Sequence, residues 1–171
     1  TPAGMDKLRT LRIADLPVVP QGRLGVPWAG MGKFIAIGLN YADHAAESSL
    51  PVPKEPIVFM KATSCIQGAN DPVMLPKGSV KSDWEVELGV VIGTMARHVS
   101  QKDALNHVAG YCTINDVSER EFQLERGSQW DKGKGCDTFG PLGPWLVTRD
   151  DIPNPQKLAM WLDLNGKRVQ T

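Results

Sequence analysis

The stretch SDWEVELGVVIG, from Ser82 to Gly93, sets the interpretation of the whole sequence. Its residues alternate as in a β-strand, which predicts one apolar face and one acidic face carrying Asp83, Glu85 and Glu87. Glu85 and Glu87 are then about 7 Å apart, two residues along the strand. Their carboxylates repel each other and lose hydration, and a divalent cation would relieve both effects. A hydrated acidic face is the alternative, which the strand alone leaves open.

The second half of this stretch is continuously apolar at Val90, Val91 and Ile92. A continuous apolar run of this length is typical of a strand that is buried on both faces. We therefore expect this half of the strand to lie inside the core.

The composition is that of an ordinary globular domain. The 171 residues are enough for one domain with a hydrophobic core, and the hydrophobic content (42%) and charged content (22%) are average. Basic and acidic residues each number 19, so the net charge is zero. This balance argues against a nucleic-acid partner and against an anionic membrane surface.

No membrane span is predicted, because no apolar run approaches the roughly 20 residues that a span needs. No secretory signal is predicted either, because the N-terminus lacks the apolar h-region of a signal peptide. The cysteines are Cys65, Cys112 and Cys136, an odd number without CxxC spacing. This pattern argues against a disulfide framework and against a zinc site, and it fits a reducing compartment. We therefore expect a cytoplasmic protein.

Strand and turn signals dominate the chain and predict a mainly β protein with short helices, of the α+β class. Residues 1–32 predict an irregular lead-in with at most one short strand, before a domain over residues 33–171. Strands are predicted at 33–39, 56–61, 108–114, 145–148 and 158–164, and helices at 40–47, 100–107 and 118–125. The capping-box pattern SERE places the start of the last helix at Ser118, and residues 127–135 predict a polar loop.

The dipeptide Asn165-Gly166 is the strongest hairpin signal in the chain. Its return strand stops after about five residues, at Thr171. A hairpin interrupted in this way predicts that the chain is a fragment lacking a C-terminal part.

Oxygen ligands without a cysteine or histidine partner favour Mg²⁺ or Ca²⁺ over zinc, so Glu85, Glu87 and Asp116 form a candidate metal-binding set. The alternative for Asp116 is an Asx turn or a helix cap. His44 and Glu47 lie three residues apart on one helical face, where a carboxylate can orient an imidazole that acts as a base. An exposed histidine–glutamate pair on a surface helix is the alternative.

Several basic or polar residues are candidates for contacting an anionic substrate, because fixed donors aimed at developing negative charge are a large catalytic term. They are Lys61, Arg120, Gln123 and Lys134. The alternative is that they are ordinary solvated side chains.

Five segments, taken in order, resemble the fumarylacetoacetate hydrolase family. They are IGLNYADHAAE (37–47), PIVFMK (56–61), DWEVELGVVIG (83–93), AGYCTINDVSERE (109–121) and KGKGCDTFGPLGPWLVT (132–148). The resemblance covers nearly all of residues 33–171. It is strongest to the subgroup linked with ureidoglycolate lyase and 2,4-diketo-3-deoxy-sugar-acid hydrolases.

The resemblance implies a mixed β-sandwich roll, a homodimer, and a Mg²⁺ ion (Mn²⁺ or Ca²⁺ in some members) on Glu85, Glu87 and Asp116. It implies a water-activating pair at His44 and Glu47. A catalytic lysine is implied at Lys134, and substrate-binding residues are implied at Lys61, Arg120 and Gln123.

The chemistry implied by the resemblance is metal-dependent hydrolysis of a C–C bond in a 2,4-diketo acid, such as an acylpyruvate or a diketo-deoxy sugar acid. A ureidoglycolate lyase, an oxaloacetate-type decarboxylase or a hydroxymuconate isomerase on the same metal site is the first alternative. A degenerate family member without enzymatic activity is the second.

Overall fold

Short strands and shorter helical turns make up the chain in a computed structural model, which describes residues 2–47 and 49–171. The strands are β1 (Phe34–Gly38), β2 (Ile57–Lys61), β3 (Ile66–Gly68), β4 (Ser82–Asp83), β5 (Val86–Ile92), β6 (Val108–Asn115), β7 (Ser118–Glu119), β8 (Gly140–Leu142), β9 (Val147–Thr148), β10 (Leu162–Leu164) and β11 (Lys167–Gln170). The helices are α1 (Pro2–Arg9), α2 (Ala42–Glu47) and α3 (Asp131–Lys134), with a π-helix at Glu121–Glu125. Single 3₁₀ turns lie at Ile13–Asp15, Thr63–Cys65, Ala104–His107, Arg149–Asp151 and Pro155–Lys157. The predicted mainly β architecture with short helices is confirmed.

The central sheet has β3, β8, β6 and β5 in that order, with β9 also paired to β6. Strands β3 and β8 are parallel, and the other pairs are antiparallel. Three two-stranded sheets accompany it, formed by β1 with β2, β4 with β7, and β10 with β11. The small β4–β7 pair joins the acidic stretch to the segment after β6.

The β1–β2 hairpin has two different faces, as its alternating sequence requires. Its inner face buries Phe34, Phe59 and Lys61. Its outer face carries only apolar side chains that remain exposed, namely Ile35, Ile37, Val58 and Met60.

The predicted hairpin at Asn165-Gly166 is confirmed. Strands β10 and β11 pair on either side of it, and both turn residues have positive φ, 51° and 79°. Two consecutive left-handed residues define the type I′ turn that asparagine–glycine favours.

Several local predictions differ from the structure. Residues 2–9 of the lead-in form helix α1, whereas Thr1, like Ser48 in the later domain, lies outside the described residues. The helix predicted from Ser118 begins instead at Glu121, because Ser118 pairs with Asp83 as part of a strand. The loop predicted at 127–135 contains helix α3, which the glycines of the segment concealed.

The predicted two-sided burial of Val90, Val91 and Ile92 is wrong. Val90 is 50% exposed and Ile92 is 59% exposed. Val90 and Ile92 alternate onto the same face of β5, and this face is open, whereas Val91 on the opposite face is half-buried.

The core contains apolar side chains and an unusual number of polar ones. Cys65, Phe139 and Leu142 are almost completely buried, and so are Lys61, Lys134 and Glu119. A buried charge is destabilising unless it is paired. Polar contacts to Lys61, Lys134 and Glu119 must therefore offset the cost of burying their charges. No helix in the part of the chain that is described is both long and apolar enough to cross a membrane.

Candidate active site

The acidic stretch breaks between β4 and β5, and Glu85 lies in that break. Its backbone N–H donates to Oδ1 of Asn115 at 3.1 Å, and its carbonyl accepts from the N–H of Asp116 at 2.8 Å. The next N–H, of Val86, donates to the side chain of Gln170 at 2.8 Å. Residues 115 and 116 therefore hold Glu85 from both sides, and the Asp116 carboxylate is brought next to that of Glu85.

One buried ammonium group joins these two carboxylates. Nζ of Lys134 lies 2.8 Å from Oε2 of Glu85 and 2.8 Å from Oδ2 of Asp116. The ring of Phe59 lies beneath the same ammonium, with its centroid 5.2 Å away. Lys134 is thus fixed between two anions and an aromatic face, which a solvated surface lysine would not be.

Lys61, at the end of β2, reaches the other side of Asp116. Its Nζ lies 2.6 Å from Oδ1 of Asp116 and donates to the carbonyls of Val117 (3.2 Å) and Lys134. Each oxygen of Asp116 therefore faces a different ammonium group, Oδ1 that of Lys61 and Oδ2 that of Lys134.

Together Glu85, Asp116, Lys134 and Lys61 form a buried group, here called the carboxylate cluster. Arg120 borders this cluster on its more exposed side. Its Nη1 lies 2.6 Å from Oε1 of Glu85, and its Nε and Nη2 both donate to Oδ2 of Asp83, at 2.9 and 2.8 Å. Nη1 also donates to the amide oxygen of buried Gln123 at 3.2 Å. Arg120 and Gln123 thus lie on one face, as their spacing in the sequence predicts.

Glu87 is the third carboxylate of the predicted metal-binding set. Burial, reinforced by the negative charges of Glu85 and Asp116, raises its pKa to about 7. The hydroxyl of Tyr41 accepts from the N–H of Leu88 at 3.2 Å and also interacts with the Glu87 carboxylate. Burial raises the pKa of Tyr41 to about 12, so this hydroxyl stays protonated at neutral pH.

Helix α2 carries His44 and Glu47, and both side chains are exposed. Within the described residues no hydrogen bond or ion pair joins the two, so the predicted pairing is not formed. Tyr41 connects the start of this helix to β5, because its carbonyl accepts the N–H of Ala45 at 3.0 Å while its side chain contacts Leu88. The structure therefore attaches α2 beside the cluster without bringing His44 into it.

The donor set suits a divalent cation in its chemistry. As the side chains stand, no three carboxylate, imidazole or thiol groups of residues 2–47 and 49–171 are close enough to hold a metal ion. One observation nevertheless fits such an ion: burial raises the pKa of Glu87, whose ionised form a cation would stabilise. Carboxylates are also the ligands that Mg²⁺ and Ca²⁺ prefer.

Close packing of α3 places Lys134 in the cluster. A Cβ on Gly133 would lie 2.3 Å from the carbonyl oxygen of Glu119 and 2.7 Å from Cβ of Gln123. Only glycine allows the helix to approach β7 and the π-helix so closely.

Three residues that lie in or beside this cluster are not among the predicted site residues: Asp83, Tyr41 and Glu119. The alternating pattern gave a signal for Asp83. Nothing local could reveal Glu119, because three of the four residues that donate to it lie 37 to 40 positions earlier in the chain.

Comparison with known families decides the relationship. Residues 33–171 match the family profile described as fumarylacetoacetate (FAA) hydrolase, C-terminal. The chain belongs to the fumarylacetoacetate hydrolase family. Members of this family are enzymes, with hydrolases and isomerases among them, and they commonly bind a divalent metal.

Relatives within the fumarylacetoacetate hydrolase family are longer than this chain. A Burkholderia ambifaria protein named "Putative hydrolase" is 63% identical over 169 residues, which are 98% of this chain and 60% of that protein. The chain thus spans 60% of the length of this curated relative. The family resemblance predicted from the sequence motifs is confirmed.

Solved structures of the fumarylacetoacetate hydrolase family share the fold. A crystal structure of "a putative HpcE protein" from Mycobacterium smegmatis is 38% identical, with a TM-score of 0.85 over 99% of this chain and 60% of that chain. A 5-carboxymethyl-2-hydroxymuconate delta-isomerase from the same organism is also 38% identical, with a TM-score of 0.65 over 80% of this chain and 53% of its own.

Proposed function

We propose that this chain carries the metal-binding site of an enzyme that hydrolyses a C–C bond in a 2,4-diketo acid. The observation that carries the proposal is the buried cluster in which Glu85 and Asp116 share the ammonium group of Lys134, with Lys61 and Arg120 beside them. Structural ion pairs are usually simpler and more exposed, and a dense buried group of both charges is typical of catalytic sites.

A divalent cation is the expected occupant, with Mg²⁺ favoured and Mn²⁺ or Ca²⁺ as alternatives, on Glu85, Glu87 and Asp116. When bound, the ion would chelate the keto-acid end of the substrate and stabilise the negative charge that develops there. Four carboxylates, those three and Asp83, face three cationic side chains. A divalent ion would therefore leave the cluster with one net positive charge, which suits an anionic keto acid.

The chain's own cations would then hold and polarise the substrate. Lys134 and Arg120 bring fixed N–H donors to the edge of the carboxylate cluster, and Gln123 supplies an amide beside Arg120. Donors that are already oriented stabilise developing charge without reorganisation. Lys61 adds a second ammonium group on the Asp116 side.

His44 is the proposed base that removes a proton from the attacking water, with Glu47 on the same face of α2. The helix lies beside β5 through the contact between Tyr41 and Leu88. Hydrolysis needs the imidazole to approach the reacting carbonyl, and apo geometry often tightens only when substrate binds.

The test of the metal site is the substitution Glu87→Ala, with Glu55→Ala as the control in an exposed loop. We expect the Glu87 variant to lose Mg²⁺ binding in calorimetry, and to lose Mg²⁺-dependent turnover of acylpyruvates or diketo sugar acids if the parent chain supports it. The control should match the parent in both. Unchanged Mg²⁺ affinity in Glu87→Ala would refute the metal assignment, and metal binding without turnover of any keto acid would favour the non-enzymatic alternative.

An isomerase, or a decarboxylase or ureidoglycolate lyase, on the same metal site is the second candidate. The observation that favours it is the exposed position of His44, without a hydrogen bond or ion pair to Glu47 in the described residues. Isomerisation and decarboxylation can proceed with metal and lysine alone, whereas hydrolysis needs a positioned water.

The substitution His44→Ala separates these two candidates. We expect it to abolish hydrolysis of an acylpyruvate and to leave Mg²⁺ binding intact. Turnover of a hydroxymuconate or of oxaloacetate that survives in the variant would assign the chain to the second candidate. Loss of all turnover together with retained metal binding would support the hydrolase.

A further inference from the structure

Glu119 is a completely buried carboxylate that the proposed chemistry does not use. It follows Ser118 in β7 and precedes Arg120, so it lies at the border of the cluster. Removing an ionised carboxylate from water is costly unless strong donors replace the water. The groups that donate hydrogen bonds to Glu119 therefore determine whether its ionised form is stable in this position.

Hydroxyl and backbone donors surround Glu119, and most come from one segment. Ser79 and Ser82 donate through their hydroxyls, the latter at 3.2 Å, and the N–H of Lys81 lies 3.1 Å from both oxygens. The N–H of Glu121 donates at 3.1 Å from the other side. Burial alone would raise the pKa of Glu119, but these hydrogen bonds outweigh burial and hold it below its usual value.

The segment held in this way, residues 79–82, leads directly into Asp83. Asp83 in turn holds Arg120 through both Nε and Nη2. A backbone hydrogen bond also links Arg120 directly to this segment, because the N–H of Arg120 donates to the carbonyl of Lys81 at 2.9 Å. Glu119 is therefore connected to both partners of the Asp83–Arg120 pair, by its neighbour in sequence and by the segment it binds.

The guanidinium group is planar and presents its donors in a fixed fork. Its two bonds to Asp83 set the direction in which Nη1 points, which is toward Glu85 at 2.6 Å. A shift of residues 79–83 would turn this fork away from the carboxylate cluster.

We infer that Glu119 is a positioning residue that fixes Arg120 at the edge of the carboxylate cluster by binding segment 79–82. The effect on substrate affinity rests on the proposed function, whereas the effect on the geometry of Arg120 does not. Glu119 itself touches neither the substrate nor the metal ligands.

The first experiment measures how well Arg120 is held, without any ligand. The chain and the variant Glu119→Gln are treated with phenylglyoxal, and the modification rate of each arginine is followed by peptide mass mapping. Glu125→Gln is the matched control, because Glu125 pairs with the side chain of Lys81 at the surface and so touches the same segment from outside. Arg168 serves as an internal reference, since it is paired with Asp163 in the β10–β11 hairpin and none of the donors to Glu119 holds it.

In Glu119→Gln we expect severalfold faster modification of Arg120 and an unchanged rate at Arg168. Both rates should stay at the parent value in Glu125→Gln. Equal rates at Arg120 in the parent and in Glu119→Gln would overturn the inference, and so would a parallel rise at Arg168, which would indicate general loosening. Should Glu119→Gln fail to fold, Ser79→Ala removes one donor while keeping the carboxylate. The modification of Arg120 by phenylglyoxal should then also be faster than in the parent.

The second experiment connects this geometry to ligand binding, with pyruvate as the probe for a keto-acid end. Calorimetry with saturating Mg²⁺ compares the parent, Glu119→Gln, Arg120→Ala and the double variant. We expect Glu119→Gln to weaken pyruvate binding about tenfold, as the loss of one charge-assisted hydrogen bond predicts, with unchanged Mg²⁺ affinity. In the Arg120→Ala background the same substitution should have no further effect.

Additive effects of the two substitutions would show that Glu119 does not act through Arg120 and would overturn the inference. Absence of Mg²⁺-dependent pyruvate binding in the parent would count against the proposed function only. The modification rates would still decide the role of Glu119, so the two failures are distinguishable.

Discussion

At the scale of single residues, Glu87 is a group whose protonation is strongly affected by its surroundings. Its folded pKa of about 7 lies above the ordinary glutamate value of 4.5 because it is buried beside Glu85. The native state therefore binds a proton more tightly than the unfolded state does. For this group the metal-free protein loses stability as the pH rises from 4.5 to about 7.

This shift predicts a pH-dependent metal affinity. A cation and a proton compete for the Glu87 carboxylate, so Mg²⁺ affinity should rise as the pH increases through about 7. Calorimetric titrations at a series of pH values measure it. Glu87→Gln should bind Mg²⁺ weakly at every pH, without the rise in affinity. Glu55→Gln should behave as the parent. A parent affinity that is flat across neutral pH would contradict the prediction.

Sequence patterns predicted the members of this cluster better than they predicted their contacts. The motif positions at 61, 85, 116, 120, 123 and 134 are brought together by the fold, which local spacing alone could not establish. Glu119 escaped notice because a glutamate in a polar stretch usually faces solvent, and its donors are remote in sequence. The predicted His44–Glu47 pairing rested on helical spacing, which places two side chains on one face but does not make them bind.

At the scale of the elements, the segment after β6 departs most from the sequence prediction. The pattern SERE resembles a capping box, yet Ser118 donates to the carbonyl of Asp116 at 2.8 Å and lies in β7. Tertiary pairing with Asp83 outweighs the local helix signal. The π-helix that follows, Glu121–Glu125, then buries Gln123 next to Arg120, and irregular helices of this kind often occur at functional sites.

Helix α3 depends on a single glycine for its approach to β7, and Gly133→Ala tests this dependence. The added methyl group would meet the backbone oxygen of Glu119 at 2.3 Å, so the helix must move outward. We expect a loss of about 1–3 kcal/mol of unfolding free energy, the usual range for overpacking. Because Lys134 would move with the helix, the Mg²⁺ affinity should change as well.

Denaturant unfolding and Mg²⁺ calorimetry measure the two effects. Gly32→Ala is the matched control, since a Cβ there meets nothing within 4 Å. It should leave stability and metal affinity close to the parent values. A Gly133→Ala variant as stable as the parent would mean that α3 does not pack as described.

At the scale of the whole molecule, the outer face of the β1–β2 hairpin is a candidate surface for association between molecules. The inner face carries Lys61 into the cluster, while the outer face presents an unbroken apolar surface. Register pairs Ile35 with Met60 and Ile37 with Val58, so the four side chains are neighbours. Contiguous exposed apolar patches of this kind favour association between molecules.

We therefore predict that the chain self-associates through this face, in keeping with the homodimer that the family resemblance implies. Val58→Lys should shift the molecular mass measured by light scattering toward the monomer, because a charge at the centre of the patch opposes its burial. Val52→Lys is the control: Val52 is as exposed (66% against 62%) but lies in a proline-rich loop. A monomeric parent at all concentrations, or equal effects of the two substitutions, would contradict the prediction. If the prediction holds, association also stiffens the strand that delivers Lys61 to Asp116, so Val58→Lys should weaken Mg²⁺ binding even though residue 58 faces away from the cluster.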